Sequence, residues 1–294
     1  MFASDLTLAS VVPRRVETVE AVRAAIALDG AAVFGGLHTE EDAIAFASKL
    51  LGEKCIRVGR QFEASAKSQD AEAAVVDTQP VDERGRKRSF GISGERMTAH
   101  NDGFAFGDYA PDYLFLWCKR PAYPSGGDSF LIDAVKLTQL LAFDPATAEL
   151  AEFCWSTDID HSEPNFPQNT FAPIARTVPS GRNQVRYHPY LAPIAGESEE
   201  AQWPLVKQWS EAVIHVRDSG PMFRAEAGEM ICIDNYRVLH GRDGYTDPGR
   251  ELYSIWGMVE RRSRGAAAGS RHRAAGPRGT GHVTRAYFSG GTKP

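Results

Sequence analysis

His100, Asp102 and His240 have the side chains of a metal site. The first two stand close together in the stretch MTAHNDG, and the third follows far downstream in DNYRVLHGR. Two imidazoles and one carboxylate form the ligand set that holds a non-haem Fe(II) ion and leaves coordination positions open. The same three side chains can also bind zinc together with an activated water molecule. The residue types therefore predict a metal centre, with both metals as alternatives.

A His-x-Asp pair is a weak signal by itself, because such pairs arise by chance in long chains. His161 and Glu163 offer a second pair with suitable ligand chemistry. Side chains two residues apart on a strand point to the same side, so a strand would present His100 and Asp102 together. The His161 pair lies in a stretch rich in Pro and Asn, and we interpret it as structural or substrate-facing. The segments that follow each pair must decide between them.

Four segments follow one another along the chain in a fairly specific order. They are HND at 100–102, GGDS at 126–129, DNYRVLHGR at 234–242 and REL at 250–252. Their order and spacing resemble the TauD/TfdA family of Fe(II)/2-oxoglutarate-dependent dioxygenases. No comparable sequel follows His161, which favours the pair at His100.

The resemblance implies a role for five residues. His100, Asp102 and His240 match the iron ligands of the family. Arg250 matches the arginine that pairs with the distal carboxylate of 2-oxoglutarate, a task suited to its planar, bidentate fork. Ser129 stands where the family usually has a Thr whose hydroxyl helps to hold the same co-substrate, and either hydroxyl can donate. Fe(II), 2-oxoglutarate and O2 are the implied cofactor and co-substrates.

Two further positions bear on the reaction and the substrate. Some family members carry a second Arg where this chain has Ser254, so a sulfonate or similar strong anion is not the expected substrate. Halogenating relatives replace the carboxylate ligand by a small residue, whereas Asp102 is retained, so hydroxylation is expected. The resemblance favours a small polar metabolite such as an amino acid or a natural-product precursor. Phe104 and Arg186 are the candidate substrate contacts.

Two other functions remain possible from the residues alone. A zinc-dependent hydrolase could use the same three ligands, but it would need a nearby general base and would give Arg250 no evident task. A non-catalytic jelly-roll binding protein would leave the three residues merely polar.

Hydrophobic patterning predicts the elements that must bring these residues together. Buried strands are indicated at residues 113–118, 129–133, 230–234 and 251–256, and helices at 134–141 and 198–217. Earlier in the chain, residues 16–28 are predicted as a helix ending at Gly30, residues 31–34 as a strand, and Thr39 as the N-cap of a second helix. Strands separated by turn-rich stretches favour a sandwich or jelly roll over a parallel sheet. The predicted fold class is α+β, with a double-stranded β-helix (jelly roll) core flanked by helices.

The predicted organisation is one dioxygenase domain over residues 1–262. It comprises an N-terminal α/β part at 1–88 and the jelly-roll core at about 89–262. Residues 263–294 form a basic tail that is rich in Gly and Ala and has no acidic residue. We expect this tail to be disordered.

Composition limits the classes of partner. The chain has 294 residues, 43% of them hydrophobic, and a formal net charge of -5, which fits a globular protein with a real core. These values give no reason to expect nucleic acid or a membrane as a partner, so a small-molecule substrate is expected. No signal peptide or membrane span is recognisable, and a cytoplasmic location is expected. The four cysteines form no Cys-x-x-Cys pair, which argues against a structural zinc site. The oligomeric state is left open.

Overall fold

The computed structural model describes residues 5–52, 55–57, 75–77, 95–103, 110–162, 170–196 and 198–259. A short 3-10 helix spans Leu6–Ala9. The α-helices are α1 (Val19–Asp29), α2 (Glu40–Leu51), α3 (Ala134–Phe143), α4 (Ala148–Ser156) and α5 (Glu199–Ser219). The strands are β1 (Ser10–Val11), β2 (Arg14–Val16), β3 (Ala31–Phe34), β4 (Ile56–Arg57), β5 (Val75–Asp77), β6 (Met97–His100), β7 (Tyr113–Arg120), β8 (Ser129–Asp133), β9 (Asp158–Asp160), β10 (Phe171–Pro173), β11 (Ala175–Thr177), β12 (Asn183–Val185), β13 (Glu229–Asp234), β14 (Val238–Arg242) and β15 (Glu251–Gly257).

Two sheets form the centre of the structure. The smaller has four strands in the order β1-β8-β14-β6, and the larger has seven, in the order β2-β3-β13-β7-β15-β4 with β5 paired to β15. Neighbouring strands in both sheets are antiparallel, except for the parallel pair of β2 and β3. The pairs β9-β10 and β11-β12 are separate hairpins.

Apolar side chains from both sheets fill the space between them. They include Val11, Leu131 and Val238 of the smaller sheet and Ala31, Val33, Leu114, Ile231, Ile233 and Trp256 of the larger sheet. Helices α1 and α2 cover the outer face of the larger sheet, and α3, α4 and α5 cover the outer face of the smaller one. Because side chains alternate along a strand, each strand contributes one face to the inter-sheet space and the other to the helices.

The predicted fold class is confirmed by this arrangement of helices around two antiparallel sheets. The four predicted strands are β7, β8, β13 and β15, and the two predicted helices in this part of the chain are α3 and α5. Observed and predicted ends differ by one or two residues for all but β8. The strand predicted at 31–34 is β3.

The first helix agrees with its predicted end better than with its start. Gly30 terminates α1 with φ of 81°, a left-handed conformation that glycine adopts without strain. The helix starts after Thr18, whose hydroxyl accepts a backbone N–H of the first turn. The predicted start at residue 16 was wrong because Val16 pairs with the larger sheet instead, as part of β2.

The second helix begins as predicted, and a later helix was not predicted at all. Thr39 and Asp42 form a capping box, in which each side chain accepts the other's backbone N–H. Helix α4 was missed. The Thr147 hydroxyl at its N-cap donates to the Leu141 carbonyl at 2.7 Å and does not cap the helix, and the last turn carries no basic residue.

The N-terminal part and the core share one sheet. Strands β2 and β3, from the first part of the chain, extend the larger sheet through β13. The predicted single domain over 1–262 and its division near residue 88 stay predictions. The tail at 263–294 lies outside the described residues. Among the helices that the structure describes, none combines the length and apolar character needed to cross a membrane.

Candidate active site

His100, Asp102 and His240 meet between the two sheets. The Nε2 atoms of both histidines lie 3.5 Å from the same atom, Oδ1 of Asp102. One ligand atom from each of the three residues lies within 4.8 Å of the others. The side chains of both histidines are 7% exposed and that of Asp102 is 20% exposed. The structure thus brings together the three residues predicted as metal ligands.

The donor set fits a divalent metal. Nδ1 of His100 lies 2.9 Å from the carbonyl oxygen of Thr98. A carbonyl only accepts, so Nδ1 carries the proton and Nε2 presents its lone pair toward Asp102. The Nε2 lone pair of His100 and the carboxylate oxygen of Asp102 both donate electrons. Their proximity therefore favours a cation bound by both atoms. Two nitrogen ligands and one oxygen ligand are the set that non-haem Fe(II) uses.

The charges of the cluster also suit metal binding. Burial alone would raise the pKa of Asp102, but its interactions with the imidazoles of His100 and His240 outweigh burial and hold the pKa well below its usual range. Burial, together with the charge of His100, lowers the pKa of His240. An ionised carboxylate beside a neutral imidazole is the protonation state in which both can bind a metal.

The local reason for the pairing of His100 with Asp102 differs from the one predicted. Strand β6 ends at His100, and Asp102 lies in the turn that follows. The alternation of side chains along a strand therefore does not bring the two together, and that part of the prediction was wrong. Instead, Asn235 holds the turn: its Oδ1 accepts the backbone N–H of Asp102 at 3.0 Å, and its Nδ2 donates to the Asp102 carbonyl at 3.0 Å. The same Nδ2 donates to the Pro111 carbonyl at 2.9 Å.

The second oxygen of the carboxylate has a different partner. Nε1–H of Trp256 donates to Oδ2 of Asp102 at 3.0 Å. Trp256 lies on β15 in the larger sheet, whereas both histidines lie on the smaller one. The carboxylate therefore bridges the two sheets, with one oxygen toward the imidazoles and the other toward the indole.

Arg250 and Ser129 line one small cavity between the sheets. Its other lining residues are Cys118, Pro121, Ala122, Gly126, Gly127, Arg224, Ala225 and Leu252. Arg250 is buried and its guanidinium lies 4.7 Å from the ring centre of Tyr245. Gly127 has φ of 70°. It leaves space for the Arg250 side chain, because a Cβ at this position would lie 2.8 Å from Arg250 Nε. The two residues predicted to bind 2-oxoglutarate thus share a cavity with a buried positive charge.

The register of the smaller sheet relates this cavity to the metal cluster. On β8 and β14, Leu131 pairs with His240 and Ser129 pairs with Arg242. Because paired and alternate residues share a face, all four side chains project into the inter-sheet space. Ser129 therefore lies two residues before Leu131, the residue of β8 that pairs with His240.

Arg242 stabilises the loop after His240 through backbone carbonyls. Its Nη1 donates to the Glu95 carbonyl at 2.7 Å and to the Asp243 carbonyl at 3.2 Å. Asp234, at the end of β13, accepts from Arg182 at 2.7 Å.

Arg186, a predicted substrate contact, is buried close to the cluster. It directly follows β12 and is 3% exposed. His188, two residues further on, is fully buried. Burial, and then the charges of His161, His100 and Arg186, lower the pKa of His188 to about 2. The neighbouring Tyr187 exchanges hydrogen bonds with Asn101, which lies between His100 and Asp102, so the chain at Arg186 runs close to the cluster.

The other residues considered from the sequence have different outcomes. Phe104 and Glu163 lie outside the described residues. His161 is fully buried, and its Nε2–H donates to the Ala172 carbonyl at 3.1 Å. Sequence reasoning missed the roles of Trp256 and Asn235 at Asp102. Neither role had a local signal in the sequence, because Asn235 and Trp256 lie 133 and 154 positions from Asp102.

Comparison with known proteins agrees with this geometry. Residues 2–256 match the model of the family described as "Taurine catabolism dioxygenase TauD, TfdA family". Three similar solved structures each cover 84% of this chain, and it covers 80% of each of them. Asparagine oxygenase in complex with Fe(II), 2S,3S-3-hydroxyasparagine and succinate has a TM-score of 0.60 at 17% identity. The non-heme iron oxygenase OrfP with Fe and alpha-ketoglutaric acid has a TM-score of 0.58 at 18% identity, and an OrfP variant with (3S)-hydroxy-L-Arg has 0.59 at 18%. The family match extends over most of the chain, and the predicted resemblance is confirmed: the protein belongs to the TauD/TfdA family of dioxygenases.

Proposed function

We propose that this protein hydroxylates an unactivated C–H bond of an amino acid or a similar small polar metabolite. Its family membership makes it an Fe(II)/2-oxoglutarate-dependent dioxygenase. The observation that carries the proposal is the convergence of His100, Asp102 and His240 on one position between the sheets. Iron bound there supplies O2 activation, with 2-oxoglutarate leaving as succinate and CO2.

The protein's own residues bind and orient the co-substrate. Arg250 would bind the distal carboxylate of 2-oxoglutarate through both arms of its guanidinium. The Ser129 hydroxyl would donate to the same carboxylate from the opposite sheet. Both residues line one cavity, and Gly127 leaves the space that the guanidinium occupies. A buried cation next to a hydroxyl donor is a suitable environment for a carboxylate.

The proposed substrate class rests on two supports. The similar structures of asparagine oxygenase and OrfP hold a hydroxylated asparagine and a hydroxylated arginine. In this chain, Arg186 lies buried beside the cluster and would bind the substrate carboxylate. Ser254 on β15 offers a small hydroxyl where a second arginine would bind a strong anion, which favours a carboxylate over a sulfonate.

The alternatives have less support. A zinc-dependent hydrolase would leave Arg250 and its cavity without a task, and a non-catalytic binding protein would not need three convergent ligands. A cytoplasmic location is part of the proposal, and it is supported by four free, buried cysteines, which a reducing compartment keeps as thiols.

The test is a substrate screen with the purified full-length chain. We would supply Fe(II), 2-oxoglutarate and O2 with each of the common L-amino acids and their simple derivatives, and measure succinate. At least one should stimulate succinate release and gain one oxygen atom by mass spectrometry. In the Arg186→Gln variant, the KM for that substrate should rise more than kcat falls.

The exposed His215 offers a matched control, since His215→Ala should retain turnover while His100→Ala should lose it. If the folded protein bound no Fe(II), or if no compound raised succinate above the background, the proposed function would be wrong. If succinate rose only with compounds that lack a carboxylate, the role of Arg186 would be wrong.

A further inference from the structure

We propose that Trp256 is a positioning residue that keeps Asp102 bound to the metal through a single oxygen. The inference rests on the proposed iron-dependent function. Nε1–H of Trp256 donates to Oδ2 at 3.0 Å, while Oδ1 lies 3.5 Å from both histidine Nε2 atoms. The two oxygens of one carboxylate therefore have separate tasks.

The indole is held in place independently of Asp102. Trp256 is 4% exposed and belongs to the apolar cluster between the sheets. Its strand position is fixed by pairing with Leu114 of β7. Because the strand and the core fix the position of the ring, the indole determines the orientation of the Asp102 carboxylate. The carboxylate does not determine the orientation of the indole.

The backbone after Asp102 is shaped to admit the ring. Gly103 has φ of 70°, and a Cβ at this position would lie 3.1 Å from Cη2 of Trp256 and 2.7 Å from Cδ of Pro111. Glycine therefore permits the close approach that a larger residue would hinder. The Asn235 side chain fixes the backbone N–H and carbonyl of Asp102. What remains free is rotation of the carboxylate, and the Trp256 bond restricts it.

The bond from Trp256 determines how many coordination positions of the metal Asp102 can occupy. A carboxylate can bind a cation through one oxygen or through both. An indole N–H is a donor only, and its bond to an ionised oxygen is charge-assisted. With Oδ2 engaged by Trp256, only Oδ1 is presented to the metal. A metal with three protein ligands, each bound through one atom, then keeps the open coordination positions that 2-oxoglutarate and O2 require.

The test compares two buried tryptophans. Trp256→Phe removes the N–H and retains an aromatic ring. Trp209→Phe is the matched control, because Trp209 is fully buried and its Nε1 has no hydrogen-bond partner in the described part of the chain. Co(II) is the probe, since its visible absorption reports coordination number without turnover. Its affinity for the full-length protein is measured by calorimetry, and its spectrum is recorded with and without 2-oxoglutarate.

We expect Trp256→Phe to weaken Co(II) binding about 10- to 100-fold, the usual effect of losing a partner of a metal ligand. Its Co(II) spectrum should also change in shape, while Trp209→Phe matches the wild type in both. Identical affinity and spectrum in folded Trp256→Phe and wild type would overturn the inference. Failure of the wild-type chain to bind Co(II) or Fe(II) would instead overturn the proposed function.

Gly103→Ala provides a second route if Trp256→Phe does not fold. It keeps the indole N–H but forces the ring and the turn apart. The same direction of spectral change is expected, and an unchanged Co(II) spectrum in this variant would overturn the inference.

Discussion

His100 and His240 face each other directly across the antiparallel pair of β6 and β14. They are register partners, and their rings lie 4.3 Å apart at an interplanar angle of 46°. Because a shift of one residue would turn every side chain of a strand to its other face, this register decides whether the imidazoles meet. The same strand, β14, pairs with β8 on its other side, so one sheet presents both imidazoles and Ser129 to the inter-sheet space.

Removal of one ligand should strongly weaken metal binding without unfolding the protein. Asp102→Ala leaves two imidazole ligands, which bind a divalent ion far more weakly than a set that includes a carboxylate. We expect Fe(II) affinity to fall by at least about 100-fold and succinate formation to cease. Calorimetry and succinate assay measure the two effects, and circular dichroism checks the fold. Retained turnover in Asp102→Ala would show that the ligand assignment is wrong.

Loss of Arg250 should affect the co-substrate and not the metal. Arg250→Ala removes a bidentate, charge-assisted contact worth about 3 kcal/mol, which corresponds to roughly a 100-fold weaker affinity for 2-oxoglutarate. Arg250→Lys should recover only part of the loss, because a lysine lacks the planar fork. Equilibrium titration with 2-oxoglutarate and, separately, with Co(II) measures both affinities. A larger effect on Co(II) than on 2-oxoglutarate would remove the proposed role.

Gly127→Ala should disturb the same cavity through Arg250. The new Cβ would lie 2.8 Å from Arg250 Nε at a backbone φ of 70°. We expect the KM for 2-oxoglutarate to rise about 10-fold and the free energy of unfolding to fall by roughly 1–3 kcal/mol. Gly181→Ala is the matched control, because Gly181 has φ of 85° and a Cβ added there would meet no described atom within 4 Å. It should lose stability but keep the wild-type KM; an equal rise of KM in both variants would argue against a direct effect on Arg250.

The buried His161 should make the protein less stable in mild acid. Burial, followed by the charge of Arg186, lowers the pKa of His161 to about 3 in the folded state, against about 6.5 in the unfolded chain. Between these values the unfolded chain binds a proton that the folded protein does not, so stability falls as the pH falls below about 6.5. From pH 7.5 to 5.5 this one residue should reduce the free energy of unfolding by about 1.4 kcal/mol.

Urea unfolding at the two pH values measures this effect. His161→Gln should lose about 1.4 kcal/mol less than the wild type between pH 7.5 and 5.5. If His161→Gln and the wild type showed the same change, the imidazole of His161 would be protonated in the folded protein at mildly acidic pH.

Local sequence patterns determined most of the elements and the types of the site residues. The apolar runs that became β7, β8 and β13 are short and continuous, and burial on both faces follows from their composition. The turn and capping preferences of Gly30 and Thr39 act within a few residues, so they can be read locally. The order of His100, Asp102, His240 and Arg250 along the chain was sufficient to indicate the family.

Only the tertiary structure decided how these residues meet. Asp102 was predicted on a strand, but it lies in a turn that Asn235 holds from far along the chain. The bond from Trp256 to Asp102 joins residues 154 positions apart on different sheets. Local patterns carry no information about such pairs, because strand register and sheet packing arise from contacts between distant segments of the chain.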